Sequence, residues 1–212
     1  MKIEIKNVTK KFKENVVLDN VNMTLESGKI YGFIGRNGSG KSVLLKMICA
    51  FYEPTSGSIL FDGENVIKNK SFPKNTRAII EGPNFLPDLT GEENLLLLAD
   101  IQKIIGKKEI EETLKLVNLY EDKDKKYSKY SLGMKQKLGL AQVFMENPEV
   151  IILDEPFNGI EDKTALKLRE FLKEEKKKGK LIIIATHIKE DVDKLVDELY
   201  KFDEGKITKL EK

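Results

Sequence analysis

The chain has 212 residues and is 34% charged, but 37 lysines and arginines nearly cancel 35 acidic residues, leaving a net charge of +2. That balance gives no strong pull toward nucleic acid or anionic membranes, and no nucleic-acid partner is expected. A lone Cys49 excludes an intramolecular disulfide and fits a reducing cytosol, and the apolar runs at 95–99 and 181–185 fall far short of the roughly 18–20 residues of a membrane helix.

In chain order, MKIEIKNVTKKF lacks the apolar stretch of a signal peptide, and residues 2–6 alternate in polarity as a half-buried strand does. Residues 21–25 and 58–62 alternate likewise, which predicts antiparallel pairing. KIYGFIG, EVIILDE and KLIIIATH are instead continuous apolar runs ending in glycine or polar residues. They read as strands buried on both faces of a parallel sheet, with function at their C-terminal ends. Helices are predicted at 41–50, 91–104, 107–118, 132–146 and 161–178, the last carrying a stripe of Ala165, Leu168 and Leu172. On the fourth, Leu138, Ala141 and Phe144 are expected inside and Lys135 and Lys137 outside. The lysines of 174–180 are expected to form a solvated helix end, and 197–210 two short strands turned at Glu204-Gly205. Residues 83–130, helical and rich in Leu and Lys, read as a subdomain inserted into a core made of 1–82 and 131–212.

Three stretches carry chemistry. GRNGSGKS, from Gly35 through Arg36, Asn37, Gly38, Ser39, Gly40 and Lys41 to Ser42, follows a buried strand and opens a helix, the context that a phosphate loop needs. Its glycines let backbone N–H groups close on phosphates, Lys41 reaches the β- and γ-phosphates, and Ser42 ligates Mg²⁺. VIILDEP ends in two acids: Asp154 suits a water-mediated hold on Mg²⁺, and Glu155 suits a general base or the positioning of a water. His187, the one histidine, falls on the same sheet edge, where a γ-phosphate contact is expected of it rather than the commoner structural role. The third stretch, KYSLGMKQ, places Ser131 and Gly133 at a helix start. That is anion-binding equipment by its free N–H groups and dipole, and equally an ordinary N-cap.

Taken together, GRNGSGKS, YSLGM, VIILDEP and the later histidine resemble the ATP-binding subunit of ABC transporters. Ser131 precedes Asp154 by 23 residues and Phe12 precedes Lys41 by 29, as in that family's signature serine and adenine-stacking aromatic. The resemblance implies an α/β fold: a P-loop NTPase core with a mostly parallel sheet, an N-terminal antiparallel β subdomain and an inserted helical subdomain. It further implies ATP and Mg²⁺ as cofactors, and catalytic roles for Lys41, Glu155 and His187. Two subunits would pack head to tail, Ser131 and Gly133 facing the partner's γ-phosphate, and would drive a transmembrane permease on another chain from the inner face of the membrane. The stretch from Glu81 to Thr90, with Phe85 and Leu86, would dock that permease. A soluble ATPase acting on ribosomes or DNA, and a regulatory subunit without hydrolysis, are the competing readings.

Three departures from the family pattern stand out. Leu132 and Met134 replace a glycine and a glutamine in the signature. Glu81 stands where the family has a glutamine that senses Mg²⁺. FNGIED, with Asn158 and Gly159 expected at the dimer interface, replaces a small-residue loop and ends in Glu161. The YSLGM variant and the end of the chain soon after its final strands resemble bacterial efflux and antimicrobial-peptide-resistance ATPases.

Overall fold

The computed structural model describes residues 1–211. The chain runs β1 (Lys2–Phe12), β2 (Asn15–Glu26), β3 (Ile30–Gly35), α1 (Lys41–Ile48), β4 (Ser56–Phe61), β5 (Thr76–Ile79), α2 (Gly91–Gln102) and α3 (Lys107–Leu116). It continues through α4 (Leu132–Phe144), β6 (Val150–Asp154), α5 (Asp162–Lys177), β7 (Leu181–Ala185), α6 (Lys189–Leu195), β8 (Glu198–Asp203) and β9 (Lys206–Leu210). Short 3₁₀ turns at Tyr120–Asp122 and Tyr127–Lys129 lead into α4.

One sheet is antiparallel, in the order β2-β1-β4; the other runs β5-β6-β7-β3-β8-β9, parallel except for the β8–β9 hairpin. The central strands of the large sheet, β3, β6 and β7, are covered on both faces, which is why they read as continuous apolar runs. Along β7, Ile182 and Ile184 join a core with Leu95, Leu114 and Leu138 from α2, α3 and α4. Leu181, Ile183 and Ala185 join the opposite core with α1 and the antiparallel sheet. Period-2 alternation thus survives, but both phases are buried. No helix among the described residues is long and apolar enough to cross a membrane.

Several elements differ from their sequence expectation, each for a local reason. β1 and β2 extend well beyond 2–6 and 21–25, because Asn7 and Asn20 take positive φ and shift the register, breaking the alternation that marks a strand. β5 was not anticipated: it is a four-residue edge strand whose Arg77 pairs with Glu146. The seven-residue α6 is too short for a helical period to show. Lys137, expected in solvent, is buried and paired with Glu161 at 2.7 Å, because the loop after β6 covers that face of α4. In the lysine-rich end of α5, Glu175 is buried beneath Lys178 and Lys180 and Lys176 pairs with Asp197, while Glu174 and Lys177 face solvent. Cys49 is also buried, which pushes its thiol up to about 12.

Candidate functional site

The C-terminal ends of β3, β6 and β7 form one edge. Pairing of Phe33 and of Asp154 with Ala185 sets the three strand ends level, with β7 in the middle. Residues after those ends, Arg36–Ser42, Glu155 and His187, are therefore neighbours by topology.

The loop leaving β3 turns into α1 through Gly40 at φ 102°. A Cβ there would meet Leu18 Cδ2 at 2.8 Å and the Val17 carbonyl at 3.0 Å, so only glycine lets the loop lie this close to β2. Lys41 is buried, and its ammonium donates to the carbonyls of Gly35 (2.8 Å) and Arg36 (3.2 Å), drawing the loop around itself. Ser42 Oγ donates to Asp154 Oδ2 at 2.7 Å. Burial raises the Asp154 carboxyl above its ordinary range, and Glu155 and Glu81 push the same way, against the Ser42 hydrogen bond and Lys41. His187 Nδ1 meets Glu155 Oε1 at 2.8 Å, while the buried Glu155 Oε2 has no partner. Ser39 Oγ, inside the loop, is also unpartnered.

Ser39, Gly40, Lys41, Ser42, Asp154 and Glu155 line a cleft of about 630 Å³ together with Val17, Asn37, Gly38, Glu81, Leu132, Gln136 and Asn158, whereas Gly35, Arg36 and His187 do not line it. Glu81, at φ 66°, turns its carboxylate to Lys46 Nζ at 2.5 Å. Lys46 lies one turn past Ser42 on α1, 35 residues from Glu81 in the chain, so the fold and not the helical spacing brings the pair together. Phe12 is not part of the cleft lining: 40% exposed at the end of β1, it packs edge-on against Tyr52 (5.6 Å) under Lys10 (4.8 Å). Val17, on the neighbouring strand, marks how far the cleft reaches toward it.

Ser131 caps α4, its Oγ accepting from Met134 N–H at 3.2 Å. Gly133 lies so close to the loop after β6 that a Cβ would sit 2.3 Å from the Gly159 carbonyl. Gln136 donates to the carbonyls of Glu155 (3.3 Å) and Pro156 (3.1 Å). Lys137 with Glu161 completes this clamp of α4 on residues 155–161. Gln136 was not singled out in the sequence and Lys137 was expected in solvent, since the contacts come from a loop some twenty residues further on. Leu132 and Gln136 border the cleft, but Ser131 and Gly133 do not. The edge thus holds a cationic phosphate cradle, an oxygen pair and a carboxylate–histidine pair, a set able to hold a polyphosphate and activate a water against it.

Comparison with known proteins agrees with this chemistry. Residues 18–158 match the family described as ABC transporter. An ABC transporter ATP-binding protein of Bacillus subtilis is 42% identical over 99% of this chain and 96% of its own length. The bacitracin transport ATP-binding protein of Enterococcus faecalis is 38% identical over 96% of this chain and 67% of its own length. A dimeric structure of a bacterial ABC transporter cassette superposes with a TM-score of 0.86 at 26% identity, covering 99% of each chain.

Proposed function

The chain belongs to the ABC transporter family as one of its ATP-binding, ATP-hydrolysing subunits, and from that premise we propose that it powers a separate permease when two copies close head to tail on ATP. One observation carries this reading: Ser131, the N-cap of α4, is exposed and lines no part of the chain's own cleft, although Leu132 beside it does. Ser131 and Gly133 start a 13-residue helix but do not line that cleft, so they are free to meet a second copy's nucleotide. The dimeric state of the related bacterial cassette supports the same arrangement. Gly159, held against Gly133, and the neighbouring Asn158 on the cleft rim would lie at that interface.

Within one cleft, the Gly35–Ser42 amides and Lys41 would hold the phosphates of ATP, and Phe12 would offer its ring to the adenine. The oxygens of Ser42 and Asp154, already 2.7 Å apart, suit a hard cation and would hold Mg²⁺. When bound, Mg²⁺ supplies charge neutralisation on the β- and γ-phosphates. Glu81 sits on the same rim, but Lys46 neutralises its carboxylate. His187 holds one oxygen of Glu155, and the carboxylate would accept a water's hydrogen, either as base or as orienting group. Hydrolysis of the shared γ-phosphate would release the pair of subunits, which converts a chemical step into a mechanical one.

A second concavity, of about 420 Å³ between Phe85, Leu86, Asn94, Leu97 and Leu98, is where a permease segment would dock, on the cytoplasmic face of the membrane. Export is the proposed direction, in keeping with the bacitracin transport relative. Leu86 is 51% exposed and suited to contact, whereas Phe85 packs against Tyr127 at 5.3 Å, so a charge at Phe85 would disturb the core instead. The test is Leu86→Glu: transport is expected to fall and the protein to leave the membrane fraction, with basal ATPase retained. Equal loss of transport and basal ATPase would refute the docking assignment.

A further inference from the structure

The geometry assigns to Thr186, Asp191 and Arg169 a role no motif gives them: a buried positioning relay that fixes the backbone of His187 so that its ring meets Glu155. The inference rests on the reading of Glu155 and His187 as catalytic. His187 itself has little to hold it, since its side chain is 68% exposed and its one side-chain hydrogen bond is to Glu155. The residues around it are locked.

Thr186, fully buried, donates its backbone N–H to the Phe33 carbonyl at 3.1 Å, one residue before the histidine. Its hydroxyl accepts from Ile188 N–H at 3.0 Å, one residue after it. That closes a tight side-chain turn whose middle residue is His187. The same hydroxyl donates to Asp191 Oδ2 at 3.0 Å. The other oxygen, Asp191 Oδ1, accepts from Arg169 Nε at 2.8 Å and Nη2 at 2.7 Å. Asp191 is fully buried and Arg169 nearly so, so each bond works in a low dielectric, and losing a partner is costly.

The relay also reaches the other half of the catalytic pair. The Arg169 guanidinium lies 5.0 Å over the ring of Phe157, two residues past Glu155, and Glu155 N–H donates to the Ala185 carbonyl at 2.8 Å. One arginine on α5 therefore braces the loop bearing Glu155 and, through Asp191 and Thr186, the loop bearing His187. Like His187, none of the three relay residues lines the cleft; their contacts lead to the loops of His187 and Glu155, which makes them positioning residues.

A double-mutant cycle in single-turnover ATP hydrolysis, with nucleotide affinity and melting temperature measured alongside, tests the relay. Thr186→Val removes the hydroxyl at constant shape. It is expected to slow hydrolysis on the order of tenfold, with ATP affinity kept, because a small misplacement of a catalytic group costs rate and not binding. Thr186→Ser, which keeps the hydroxyl, should recover most of the rate. In a His187→Ala background Thr186→Val should cost less than about twofold, since no ring is left to position. A loss in that background equal to the loss in the wild type would overturn the relay while leaving His187 catalytic, as would no loss in the wild type. An unchanged rate for His187→Ala alone would overturn the catalytic reading itself. If Thr186→Val does not fold, Asp191→Asn runs the same cycle.

Discussion

The two anion-binding ends of the protomer differ in how they are finished. At the phosphate loop and beside it, four charged groups have an internal partner: Lys41 on loop carbonyls, Asp154 on Ser42, Glu155 on His187, Glu81 on Lys46. At the start of α4, Ser131 is exposed and bonds only its own helix, while everything behind it is clamped to residues 155–161. The first region is a site complete in one chain. The second is a rigidly mounted surface, and its stiffness is directed at the loop leaving Glu155. The difference shows how a subunit can place one nucleotide in its own cleft and still present an anion receptor to another.

The largest effect should come from Glu155→Gln. Losing the carboxylate is expected to slow hydrolysis by about 10²–10⁴-fold while ATP binding persists, measured as phosphate release against nucleotide affinity. Lys41→Ala comes next and acts on binding: removing the cradle's cation should weaken ATP affinity on the order of tenfold or more, read by fluorescent-nucleotide titration. Gly133→Ala sharpens the contrast, because its Cβ must displace the Gly159 carbonyl. Loss of activity at high protein concentration with monomer ATP affinity unchanged is expected, and a loss of that affinity would place Gly133 in the wrong cleft.

A smaller effect concerns pH. The raised carboxyl of Asp154 means the folded state binds that proton more tightly than the unfolded chain does. Stability from this group is present at low pH and falls as pH rises through its elevated value. Asp154→Asn should therefore raise the melting temperature of the nucleotide-free protein at neutral pH, with the gain shrinking on acidification. An equal gain at every pH would count against burial as the cause. Mildest of all, Lys46→Met removes an ion pair with an exposed partner, so it should cost stability less than about 1 kcal/mol in chemical denaturation.

The phosphate loop and the Asp154–Glu155 pair were legible because each is a contiguous motif whose geometry is set by one strand end and one turn. The parallel sheet was legible for the same reason: strands buried on both faces have no polar phase to confuse the reading. What escaped was written between distant segments. Lys137 lies beside a correctly read apolar stripe, yet its burial depends on a loop beyond β6 that no helical period reveals. The lengths of β1 and β2 were hidden by residues of positive φ, and Thr186, Asp191 and Arg169 meet only once α5 and α6 have packed. Glu81 was visible as a departure in sequence, but its neutralising lysine was not sought.

The account turns on whether Ser131 serves a second chain, and the solution mass by light scattering tests that most directly. Aspartate at position 131 still caps α4 but adds an anion where the partner's γ-phosphate would lie. Glu155→Gln should be a monomer without nucleotide and a dimer with Mg-ATP, while Glu155→Gln/Ser131→Asp stays monomeric with ATP bound. Dimerisation of both variants alike, or of neither, would contradict the account and leave Ser131 as a helix cap alone.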